Sequence, residues 1–154
     1  MQLNKLPIET AAILGSTHEV VIDYSDLSDT AGTTKTLTVT IPAGSWVRGG
    51  AHVLETDFTD GAATMSSLVY TVGDGDDADL YMTSTEVETT GTEIDYKAPT
   101  AGSGAVSREV GKVYASADTL DIAFTATGAN LSTLTGGKLR YYFAMVDLDD
   151  LKKG

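Results

Sequence analysis

Between Thr34 and Ile41 the chain alternates: Leu37, Val39 and Ile41 fall on one side and Thr36, Thr38 and Thr40 on the other, until Pro42-Ala43-Gly44 ends the run. Period two with one polar side, in a segment rich in β-branched residues, predicts a half-buried strand. The same reading marks Glu19 to Tyr24 through Val20, Ile22 and Tyr24, and Ser67 to Val72 through Leu68, Tyr70 and Val72. Gly50 to Phe58 sets His52, Leu54 and Phe58 against Val53, Glu55 and Asp57, and Asp60-Gly61 supplies a turn dipeptide. Thr119 to Thr125 places Leu120, Ile122 and Phe124 opposite Thr119, Asp121 and Thr125.

Lys138 to Val146 differs. Leu139, Tyr141, Phe143 and Met145 line one face and Arg140, Tyr142, Ala144 and Val146 the other, so neither side is plainly polar. Such a strand is expected to be central or covered from both sides. Joined to the preceding run by Ala126 to Gly137, it reads as half of the chain's clearest strand pair. Shorter strands are predicted at Asp79 to Thr83, Thr92 to Ala98 and Gly111 to Ala115, and Ala101 to Ala105 reads as a small-residue loop.

These runs amount to about eight or nine short strands at roughly ten-residue spacing, with no sustained helical period. The expected class is all-β: an antiparallel β-sandwich of jelly-roll type, which suits a chain of this length better than an immunoglobulin-like sandwich of about 100 residues. Residues 1–18 lack clean periodicity, interrupted by Pro7 and Gly15, and are expected to form an extended N-terminal arm ahead of a single domain over residues 19–154.

Composition narrows the function. The 154 residues carry a formal charge of −12, and Lys152-Lys153 follows Asp147, Asp149 and Asp150, so no basic footprint for nucleic acid is present in the sequence. Met1 to Pro7 has no apolar core of a secretory leader and no long apolar run occurs, so neither a leader nor a membrane span is expected. With no cysteine there is neither a disulfide nor a thiolate centre.

The densest candidate chemistry is the turn Val72 to Leu80, where Asp74, Asp76, Asp77 and Asp79 offer oxygen ligands for a hard cation such as Ca²⁺. Gly and Asp are equally what turn geometry selects, and the position where a twelve-residue calcium loop started at Asp74 needs its closing glutamate is Thr85. The expectation is therefore a solvated turn without tightly bound metal. His18 and His52 lie on different elements with no third ligand at zinc spacing, and His52 is expected at the rim of the core. No nucleophile elbow or phosphate loop appears, and no cofactor is expected. Trp46 and Arg48, in a predicted loop from Gly44 to Gly50, have the composition of interface anchors. Leu3, Leu6 and Ile8 of the arm, and Arg140 and Tyr142 on the second face of the last strand, complete the interface candidates.

Four segments, Ile41-Pro-Ala-Gly-Ser-Trp-Val47, Val53-Leu-Glu-Thr-Asp-Phe-Thr-Asp-Gly61, Tyr70 to Met82 with its Val-Gly-Asp turn, and Leu134-Thr-Gly-Gly-Lys-Leu-Arg-Tyr-Tyr-Phe143, together resemble the head decoration, or cement, proteins of tailed bacteriophages. The resemblance spans roughly residues 19–147. It implies a jelly roll that binds the major capsid protein on the outside of a capsid, often as a homotrimer at three-fold positions, and catalyses nothing. It further implies synthesis in the host cytoplasm, residence on the virion, and an N-terminal segment that reaches across subunits. Alternatives are a tail or neck protein, a carbohydrate-binding sandwich using Trp46, and a calcium-dependent hydrolase.

Overall fold

A computed structural model of the chain describes residues 1–87, 95–97 and 111–150. Among the described residues ten strands run β1 Gln2–Lys5, β2 His18–Asp23, β3 Thr34–Ile41, β4 Ser45–Asp60, β5 Ser67–Gly73, β6 Met82–Glu86, β7 Asp95–Lys97, β8 Lys112–Tyr114, β9 Asp118–Thr127 and β10 Leu134–Asp147, with one α-helix, α1, at Ile8–Leu14. They form two antiparallel sheets. One has the order β1-β2-β10-β4-β7, with β8 also on β4, and the other the order β3-β9-β5-β6. The apolar sides of both meet in one core, where Val20, Ile22, Leu139 and Tyr141 of the first sheet join Tyr70, Ile122 and Phe124 of the second.

β3 spans the residues its alternation predicts and pairs with β9 without a register shift, Leu37 opposite Ile122 and Val39 opposite Leu120. β10 is central, held between β2 and β4, which accounts for its two apolar faces. The two closing strands are nevertheless not a pair: β9 bonds to β3 and β5 in one sheet while β10 lies in the other. Alternation fixes which side of a strand is buried, and says nothing of which neighbour takes up its hydrogen bonds.

Trp46 to Gly50, expected as a loop, belongs to the sixteen-residue β4. The pattern hides this because the buried positions are Ser45, Val47 and Gly49 in the first part and His52 and Leu54 beyond it. The phase changes where Tyr141 pairs with His52 but Phe143 pairs with Gly49, a bulge that puts an extra residue into β4. Gly50 is required there, since a Cβ would lie 2.2 Å from the carbonyl oxygen of Tyr142. Two further boundaries move. The strand expected at Asp79 to Thr83 begins at Met82, because Asp77 to Tyr81 complete a turn in which the Tyr81 amide bonds to the Val72 carbonyl. Of Thr92 to Ala98, only Asp95–Lys97 is described as strand, and Ala101 to Ala105 lies outside the described residues.

The N-terminal residues fold back instead of extending. β1 pairs with β2, Leu3 opposite Val20, and α1 ends at Gly15, whose φ of 63° is the left-handed cap that glycine adopts without strain. No residue of β1 is buried and α1 is seven residues long, so neither writes a legible hydrophobic period into the sequence.

Candidate functional site

The acidic turn after β5 becomes a closed polar cluster through residues far away in the chain. Gly73 permits the tight entry, since a Cβ there would sit 2.0 Å from the Asp77 carbonyl oxygen. Asp74 is buried, and its Oδ1 accepts the backbone amides of Asp76 and Asp77, each at 3.0 Å. Its Oδ2 accepts the Lys112 ammonium at 2.6 Å and the Tyr114 hydroxyl at 2.6 Å, both from β8 in the opposite sheet. Tyr81 closes the chain of hydroxyls 2.8 Å from Tyr114. Lys112 also reaches Asp76 at 3.4 Å and lies 4.8 Å from the Tyr114 ring centre.

Burial opposes ionisation of Asp74, but the bonds from Lys112, Tyr114 and the two amides outweigh it and hold the carboxyl below its ordinary pKa. Burial likewise opposes the charge on Lys112, yet the Asp74 bond raises its pKa. Burial pushes Tyr81 up to about 12, and burial with the Asp74 bond drives Tyr114 far above its usual value. Both phenols stay protonated donors near neutrality.

Of the four aspartates singled out in the sequence, the fold brings Asp74 and Asp76 together and adds Asp118 from the start of β9. Carboxylate oxygens of these three lie within 4.8 Å of one another. Asp77 instead caps the amide of Asp79, and neither joins the group. The position a cation would take beside Asp74 and Asp76 is filled by the ammonium of Lys112, which offsets one of the cluster's three carboxylate charges. Lys112 and Asp118 carry no local signal: each becomes relevant only through the pairing of β8 with β4 and β9 with β5.

The interface candidates separate by environment. Arg140 is the centre of a ladder across the outer face of the larger sheet, binding Glu55 through Nε and both oxygens of Glu19 through Nη1 at 3.1 Å. Asn4 holds Glu19 at 3.0 Å and Lys138 holds Glu55 at 2.9 Å. Tyr142 and Val146 are half-buried and Ala144 is buried, so the second face of β10 is not an open apolar surface. Trp46 is half-buried under Gly111, whose Cβ would meet the indole Nε1 at 2.4 Å. Arg48 lies 5.8 Å from the Trp46 ring and donates to the Gly15 carbonyl at 2.6 Å, which removes both from the role of a free stacking platform. Leu6 is half-buried, whereas Leu3 and Ile8 are 44% and 82% exposed.

His52 is not at the rim but buried in the core, its Nδ1 bonded to the Tyr70 hydroxyl, which in turn faces Met82 Sδ at 2.7 Å. His18 lines an open cavity of about 380 Å³ at one end of the larger sheet, with Lys5, Thr17, Ser45 and Asp147. Burial and then the Lys5 charge lower its pKa, so it is neutral near pH 7.

Among the described residues, the outward positions of β3, β9 and β5 form a different kind of surface. Thr34, Thr36, Thr38, Thr40, Thr125 and Thr127 are exposed and Thr71, Val69 and Ala123 half-buried, with Asp121 as the charged side chain on these strands' outward side. No protein-family model, curated protein or solved structure matches the chain.

Proposed function

We propose that this is a non-catalytic virion protein with jelly-roll topology that decorates the outside of a phage capsid, partnered by the major capsid protein and by copies of itself. The strand pairing supports the topology. β2 pairs with β10, β3 with β9, β4 with β8 and β5 with β6, the nested order of one antiparallel ribbon rolled into two sheets.

The observation that carries the function is the hydroxyl-lined face of the four-stranded sheet. On a chain of net charge −12 a broad face whose carboxylates are Asp121 and, at the β6 margin, Glu86, which accepts from Ser67 and the Leu68 amide, is a surface on which another protein can lie without desolvating many carboxylates. Its threonines offer short, stiff side chains that lose little entropy on contact. The densest ionic groups, around Asp74 and Arg140, are closed by internal partners, which fits a building unit better than a catalyst. Multivalent attachment of such faces raises avidity by roughly 10²–10⁴ without any tight single contact.

The test is a pull-down on undecorated heads of the virus that encodes the chain, counting bound copies per head. Wild-type protein is expected to bind, and Thr71→Glu with Thr125→Glu to bind at least tenfold less. Bare heads at micromolar wild-type protein would sink the decoration reading; equal binding of the variant would sink the role of this face.

A further inference from the structure

We propose that β3 is a self-association edge, on which β3 of a second copy pairs antiparallel about a two-fold axis and joins the two four-stranded sheets into one. An edge strand presents a row of unpaired amides and carbonyls, and proteins blunt such edges by shortness, bulges, proline or charge. The other edges among the described strands are blunted. β1 has four residues and ends in Lys5, β7 and β8 have three each, and β6 has five residues with a register shift against β5. β3 carries none of these devices: eight residues, regular pairing with β9, no proline, and a single charge, Lys35, already paired with Asp29. Among the described residues nothing bonds to the outward backbone row of Thr34–Ile41.

The strand is complementary to itself. Antiparallel two-fold registers centred anywhere from Thr36 to Val39 set threonine opposite threonine outside, a favourable cross-strand pair, and aliphatic residues opposite one another or Lys35 inside. Leu37 shares its face with buried Val39 and Ile41 yet is only half-buried, and a partner strand beside it adds cover there. Two chains of charge −12 repel, so association is favoured where carboxylates are absent, and β3 has none. The resulting interface is isologous and closes as a dimer. This pairing does not depend on the capsid reading, and its test needs no capsid.

Light scattering on the full chain is expected to give twice the 16.1 kDa chain mass at tens of micromolar. Thr36 and Thr38 are exposed, so T36E/T38E and T36K/T38K should stay folded with a cooperative melt matching that of wild type diluted below its association range, yet each should run at the mass of one chain because like charges then face across the axis. Mixing the two variants should restore the two-chain mass. Without any variant, hydrogen exchange at residues 34–41 should slow as wild-type concentration rises through the association range. Wild type at one-chain mass throughout, wild type at three-chain mass, charged variants that remain paired, or a mixture that stays unpaired would each overturn the proposal.

Discussion

Lys112 joins two sheets through a single ammonium. Replacing it leaves the buried Asp74 oxygen with the Tyr114 hydroxyl but no counter-charge, a loss worth about 2 kcal/mol for a hydrogen bond to a charged group. Lys112→Met is therefore expected to lower the thermal midpoint by roughly 4–8 °C, measured by calorimetry at pH 7. The pH dependence follows from the direction of the Asp74 shift. A carboxyl held below its ordinary 3.8 contributes stability that is complete above that value and is lost as pH falls through the folded pKa. Wild type should lose stability below about pH 4 more steeply than Asp74→Asn, in urea melts at stepped pH. A variant as acid-sensitive as wild type would show that other carboxylates dominate acid unfolding.

At the level of elements, the bulge in β4 and the β1 edge make opposite predictions. Gly50 sits where a side chain would strike the Tyr142 carbonyl, a backbone atom that cannot retreat without breaking β10 from β4. Gly50→Ala should cost about 1–3 kcal/mol or more, read as a lowered denaturation midpoint. Deleting residues 1–14 removes β1 and α1, whose described side chains are at most half-buried. The truncated chain should keep a cooperative melt and the near-ultraviolet signal of the tyrosine core. Non-cooperative unfolding would mean that the β1 ladder closes the fold and does not merely flank it.

For the whole molecule, charge is the dominant long-range term. With −12 on 154 residues, screening should relieve self-repulsion, so the midpoint is expected to rise between 10 mM and 150 mM salt as the Debye length falls from about 30 to 8 Å. Calcium should add nothing beyond its ionic strength, because Lys112 stands beside Asp74 and Asp76. Melts in millimolar Ca²⁺ and in chelator at matched ionic strength should coincide, and a calcium-specific rise would show a site stronger than the lysine pair.

What the sequence by itself determined is local: the two faces of β3, β5, β9 and β10, the all-β class, the Val-Gly-Asp turn and the anionic surface, all of which follow from period-two burial and from charge. The central position of β10 was legible in the same way, from apolar residues on both of its sides. Tertiary structure alone decided the partners. It sent β9 and β10 to different sheets, extended β4 through a bulge that breaks the alternation, and folded residues 2–5 onto β2. It also set Lys112 and Asp118 beside Asp74 and placed Arg140 between Glu19 and Glu55. Side-chain alternation encodes burial residue by residue, whereas backbone hydrogen bonds are the same for every strand, so which strands meet is settled by packing among segments distant in the chain.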